Sequence, residues 1–187
     1  MTRPLSDLSW PRSTARLALR PATPEDVAAI YGYRSLPEVG HWLTRLPTDR
    51  DSFTRHMIEH LEVVLVVEHE GRLVGDLMLR VHDAWSQAEA AEQAKDAQAE
   101  IGWALAPQAQ GRGFATEAVS ELITITFELG VRRIEASCFA DNEGSWRLME
   151  RVGMRREGHH LRDTLHRDGT WHDGIVYGLL ADEWASR

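Results

Sequence analysis

One stretch constrains this chain more than any other: Glu100 to Gly113, Glu-Ile-Gly-Trp-Ala-Leu-Ala-Pro-Gln-Ala-Gln-Gly-Arg-Gly. Ile101, Trp103 and Leu105 alternate with Glu100, Gly102 and Ala104, the period of two that a strand requires. Pro107 ends the strand, because it has no N–H to give to a ladder. Gln108 to Gly113 make a short loop with two glycines. A long helix is predicted directly after it, over about residues 114–129. Glu117, Glu121, Thr124 and Glu128 form its wet stripe. Ala118, Leu122, Ile125 and Leu129 form its dry one, which Val119 and Ile123 widen. Gly130 suits the C-terminal cap.

The chemistry of such a loop is anion binding. The first turn of a helix has N–H groups without intrahelical acceptors and a partial positive charge. Glycine permits positive φ and lets a ligand approach the backbone. Strand, glycine turn and helix start together make a phosphate cradle, and Arg112 adds a full charge. No Gly-Lys-Ser/Thr follows, so this is not the Walker loop, and the third glycine of the dinucleotide fingerprint is missing. A turn that needs glycine only for tightness is the competing reading.

Gln108-Ala-Gln-Gly111-Arg-Gly113 resembles the Gln/Arg-x-x-Gly-x-Gly/Ala motif of the GCN5-related N-acetyltransferase (GNAT) superfamily. Its flanks, Ala-Glu-Ile-Gly-Trp before and Phe-Ala-Thr-Glu-Ala after, are similar to the RimJ/RimL-like subgroup. Downstream, Asn142-Glu-Gly-Ser145-Trp-Arg-Leu148, closed by Gly153-Met154, resembles the family's Asn-x-x-Ser-x-x-Leu helix. Two motifs in order, about 30 residues apart, are far more specific than either alone. The resemblance covers residues 14–184.

It implies an α/β (α+β) fold, a mixed, twisted sheet of six or seven strands flanked by helices. It implies acetyl-CoA as cosubstrate and an amine as partner. Backbone groups of Ala104, Leu105 and Ala106 would pair with the pantetheine arm. The amides of Gln110, Gly111, Arg112, Gly113, Phe114, Ala115 and Thr116 would hold the pyrophosphate. Asn142 would hydrogen-bond the pantetheine amide. The family often places a tyrosine acid seven residues after that Asn. Here the position is Met149, which cannot donate a proton. Ser145 is the substitute the resemblance suggests, through a hydrogen bond to the departing thiolate; its other reading is a CoA contact alone. The Met149 departure also keeps a second function open, a non-catalytic CoA-binding regulator.

Glu100 is the candidate general base. On an alternating strand it shares a face with Gly102 and Ala104, where small residues leave room for a ligand. Asp76 and Asp163 are rivals, and a solvent-exposed strand-edge acid is the alternative reading of Glu100.

Composition bounds the rest. The formal net charge of −8 argues against non-specific nucleic-acid binding, which needs a basic face. No 18-residue apolar stretch exists to span a membrane, and Met1–Arg12 has no apolar run of a signal peptide, so a cytoplasmic protein is expected. Cys138 is the only cysteine, which excludes an intrachain disulfide and fits a buried strand position.

In chain order, residues 1–13 read as a loose arm ahead of a single domain over 14–184. Strands are predicted at Arg16–Arg20, Val63–Val67, Arg72–Val81, Arg133–Phe139, Leu161–His166 and Trp171–Leu180, in addition to the central one. Helices are predicted from Thr23 to Arg34, capped by Thr23, and from Asp49 to Leu61, capped by Thr48 or Asp49. Residues 82–99, rich in Ala, Glu and Gln, read as an insertion, part loop and part helical turn and mostly solvated, with a lid or an oligomer contact, such as a homodimer, as alternatives. His159, His160, His166 and His172 lack ligand-like helical spacing, so no metal is expected.

Overall fold

The structure, a computed structural model, describes residues 4–186. In chain order the elements are β1 (Arg12–Ser13), β2 (Ala18–Pro21), α1 (Val27–Arg34), α2 (Pro37–Gly40), α3 (Arg50–Glu59), β3 (Val64–His69) and β4 (Arg72–His82). There follow α4 (Ala91–Ala94), β5 (Gln98–Leu105), α5 (Phe114–Glu128), β6 (Arg133–Phe139), α6 (Glu143–Arg151), β7 (Arg155–Leu165), β8 (Trp171–Leu180) and α7 (Ala181–Ala185). The mixed α/β class is as expected. Eight strands among the described residues exceed the expected six or seven. The extra one is β1, only two residues long, too short to show any alternation.

The chain divides into two compact units, residues 4–80 with 102–125, and residues 81–101 with 126–186. In the first, β1, β2, β3 and β4 pair antiparallel in sequence order. Strand β3 reads as an unbroken apolar run because Val64, Leu65, Val66 and Val67 are all buried. Its hairpin to β4 turns at Glu70 and Gly71, with φ of 51° and 73°, the left-handed pair that a tight hairpin needs. Val27, Ile30 and Tyr33 of α1 pack with Phe53 and Met57 of α3 and with Val66. Asp49 is the cap of α3; its carboxylate accepts from the Ser52 N–H at 2.7 Å.

The end of β5 belongs to this unit. The Ala106 N–H donates to the Val74 carbonyl at 2.9 Å. A Cβ at Gly75 would stand 2.7 Å from the Ala104 oxygen, so β4 has glycine where the backbone of β5 comes closest.

In the second unit the start of β5 pairs in parallel with β6 over Gln98–Glu100. Strand β6 pairs antiparallel with β8, and β8 with β7, so β7 lies outermost there. Ile134, Leu148, Met149, Ile175, Tyr177 and Leu179 are buried. Strand β7 begins at Arg155, six residues before the predicted Leu161. Nearly every position of it is exposed, so its polar sequence carries no alternation to read. Between β4 and β5 the chain makes a turn and the short helix α4. The Ala84 N–H donates to the Ala94 carbonyl at 2.8 Å, and the Asp96 N–H to Asp83 Oδ1 at 2.9 Å. Trp85 in this segment is 94% exposed. No helix among the described residues is long and apolar enough to cross a membrane.

Candidate active site

Around the glycine loop the first unit builds a cationic corner. Helix α5 starts at Phe114, directly after Gly111 at φ 70° and Gly113 at φ 78°. No atom comes within 4 Å of where a Gly111 Cβ would be, so the loop backbone is open on that side. The Gln110 side chain turns back and donates to the Leu105 carbonyl at 3.1 Å, tying the loop to the end of β5. Gln110, Gly111, Arg112 and Gly113 are exposed, while Phe114 is buried.

Phe114 is the anchor of that corner. The Arg112 guanidinium lies 4.5 Å from its ring centroid and that of Arg16 lies 4.8 Å from it. The His69 ring packs against the same ring at 4.6 Å. Cations over an aromatic face are held by its quadrupole. Arg16 Nη1 donates to the Arg112 carbonyl at 3.0 Å, and Arg16 Nη2 pairs with Glu117 at 2.7 Å. The Glu117 carboxylate also accepts from the Thr14 hydroxyl and from the Arg16 N–H. Burial alone would raise the Glu117 carboxyl; hydrogen bonds from Thr14 and Arg16 outweigh it and hold the group below the usual carboxylate range. Arg16 escaped the sequence reading. It stands 96 residues from Arg112, in no motif.

Asp76, a rival base, is 1% exposed. It accepts from the Tyr33 hydroxyl at 2.5 Å, from Arg34 Nε at 2.9 Å and from Arg34 Nη2. Burial first, and then the Asp76 charge and hydrogen bond, push the Tyr33 phenol well above its ordinary value. Both Asp76 oxygens are committed to holding α1 against β4, which leaves this carboxylate unsuited to taking a substrate proton.

In the second unit Asn142 caps α6, its Oδ1 accepting from the Ser145 N–H at 3.2 Å. This leaves the Asn142 amide NH₂ as a donor. Burial pushes the Cys138 thiol of β6 up to about 11, with Ser145, Arg156 and the Trp146 amide only partly opposing it. Met149 is fully buried, a core residue of α6. Glu100 is half-buried, opposite Glu135 in the parallel pairing of β5 with β6. Glu135 accepts from Arg133 at 2.7 Å. Asp163 is exposed on the bulged part of β7, where it accepts from Thr164 at 2.9 Å.

The structure thus gathers Ala104, Leu105, Ala106 and residues 110–116 in one unit, with Arg16 added, and Glu100, Asn142 and Ser145 in the other. The family model described as Acetyltransferase (GNAT) domain matches residues 16–155. The uncharacterized N-acetyltransferase p20 of Bacillus licheniformis is 30% identical over 183 residues, covering 92% of this chain and 97% of its own. The uncharacterized N-acetyltransferase YnaD of Bacillus subtilis is 37% identical over 86 residues, 46% of this chain and only about half, 50%, of its own length. Among solved structures, an acetyltransferase of the GNAT family from Bacillus anthracis superposes with a TM-score of 0.78 at 26% identity, covering 91% of this chain and 98% of its own.

Proposed function

This chain belongs to the GNAT acetyltransferase family, and from that premise we propose that it transfers the acetyl group of acetyl-CoA to a primary amine. The observation that carries the proposal is the cradle ahead of α5. Gly111 and Gly113 have positive φ there, and Arg112 and Arg16 stand beside the helix start. That arrangement suits a pyrophosphate. The first-turn amides of Phe114, Ala115 and Thr116 and the loop amides of residues 110–113 donate to it. Backbone groups of Ala104, Leu105 and Ala106 pair with the pantetheine arm as an added half-strand, and the Asn142 NH₂ donates to its amide.

In the reaction the neutral amine attacks the thioester carbonyl. A C–N bond forms, the C–S bond breaks, and one proton leaves the amine. Glu100 takes that proton directly or through water. The CoA thiolate departs with a hydrogen bond from Ser145.

The acceptor fits an α-amine best. Its pKa of ~7.7–8.0 lies close to neutrality, against ~10.4 for lysine. Exposing the neutral form near pH 7 costs roughly 1 kcal/mol for the first and about 5 kcal/mol for the second. A protein N-terminus is therefore the first acceptor to test, and small-molecule amines are the second.

The experiment is thiol release from acetyl-CoA with a panel of N-terminal peptides, polyamines, amino acids and aminoglycosides. Amine-dependent release supports the transferase. Met149 at the usual acid position supports the alternative, a CoA-binding regulator. CoA binding without thiol release across the panel would favour that one.

A further inference from the structure

The tip of the β7–β8 hairpin brings together His166, Asp168 and His172, each offering one ligand atom, all within 4.8 Å of one another. We propose that these three side chains bind a divalent transition-metal ion, with Asp141 orienting His172. The ion is not placed in acetyl transfer. It would pin the hairpin tip to the turn that leads from β6 into α6.

The side chains are already held for the task. His166 is 6% exposed. Its ring lies edge-on to Phe139 and to His172, at centroid distances of 5.6 and 5.5 Å. Asp168 is held by the Thr170 N–H at 2.8 Å and the Thr170 hydroxyl at 2.6 Å. His166 Nδ1 stands 3.0 Å from Asp168 Oδ2. His172 Nδ1 meets Asp141 Oδ2 at 2.6 Å, and its Nε2 meets the Thr170 hydroxyl at 2.7 Å. A carboxylate on one imidazole nitrogen, with the other facing the ligand cluster, is how outer-shell groups set a metal-binding histidine.

The contacts run on in a chain, Asp141 to His172, His172 to Thr170, and Thr170 to Asp168, so Thr170 ties two of the proposed ligands to one turn. Imidazole and carboxylate donors suit zinc, nickel or cobalt, at metal–ligand distances of about 2.0–2.2 Å for zinc. Sequence spacing alone set these histidines aside. A hairpin turn, not a helix, is what converges them.

The test uses the full chain without an affinity tag, treated with chelator and then titrated with zinc chloride by calorimetry. Cobalt chloride serves as a second probe, because its visible absorption reports coordination. The expected result is one saturable equivalent of zinc and a raised thermal transition. Asp141→Asn should weaken binding on the order of 10–100-fold, and Asp168→Asn and His172→Gln by more. His159→Gln, on an exposed histidine outside the cluster, should bind as the wild type does. Circular dichroism establishes that each variant is folded. No saturable equivalent, or wild-type affinity in both folded Asp168→Asn and His172→Gln, would overturn the proposal.

Discussion

Arg16 donates to the main-chain carbonyl of Arg112, 3.0 Å away, although 96 residues separate the two. The same guanidinium binds Glu117 in the first turn of α5. Glu117 is thereby paired, so its charge does not oppose an anion at the helix start. Arg16→Ala should loosen the loop and leave Glu117 uncompensated. CoA affinity should fall by about tenfold or more, the scale of losing a charge-assisted hydrogen bond of ~1.5–3 kcal/mol. Calorimetry with CoA measures it; unchanged affinity would make Arg16 a surface residue only.

Glu117 also sets an acid limit on stability. Its folded carboxyl is held below the unfolded value by Thr14 and Arg16. The stability it contributes is present above its unfolded pKa of ~4.3 and is lost as pH falls through the folded value. Glu117→Gln should melt lower than wild type at pH 7, and the gap should close below about pH 4. A gap that stays constant down to that pH contradicts the pairing.

Gly113 has φ 78°, and a Cβ there would stand 3.3 Å from Arg16 Nη2. Gly113→Glu strains the backbone by roughly 1–2 kcal/mol and puts a carboxylate in the cradle. The fold should survive with a modestly lower melting temperature, and CoA binding should be abolished. Near-wild-type affinity in the folded variant would refute the loop assignment.

Ser145→Ala should lower turnover more than it weakens acetyl-CoA binding, because a thiolate contact matters in the transition state. Steady-state kinetics beside a CoA titration separates the two. Unchanged kcat with a higher KM would reduce Ser145 to a binding residue.

Glu100→Gln keeps size and polarity but removes the base. CoA affinity should hold while kcat/KM drops on the order of 10²–10⁴-fold. The deficit should shrink as pH rises toward the amine's own pKa, since free amine then becomes abundant. Activity within about threefold of wild type at neutral pH, well short of that range, would sink the assignment and leave proton removal to water and backbone carbonyls.

The sequence made the interior strands and the central helix legible, because burial writes a period into them. Strand β6 was bounded at Arg133 and Phe139 as observed, and the helix after Gly113 begins at Phe114 as expected. The sequence predicts only the second half of strand β7, since an outermost strand exposed along most of its length has no face to encode. Within the candidate site, the glycine loop and Asn142 announce themselves by motif. Arg16 does not, because its role comes from packing on Phe114 and from a contact across the fold. Asp76 reads as a rival base in the sequence, but Tyr33 and Arg34 occupy both of its oxygens in the fold. The His166–Asp168–His172 cluster depends on a hairpin bend that spacing alone does not specify.

The cationic corner at Phe114 belongs to a chain whose formal net charge is −8. Beyond a Debye length of about 10 Å at 0.1 M salt, an approaching multiply charged anion meets the whole chain and is repelled. Only within that distance do Arg16, Arg112 and the helix start govern it. Capture and retention should therefore respond to salt in opposite ways. Modest salt screens the far field and speeds the encounter, while more salt weakens the near contacts and shortens the residence time. An anionic ligand would then show its fastest association at an intermediate ionic strength, the reverse of the monotonic decline expected when long-range attraction guides the approach.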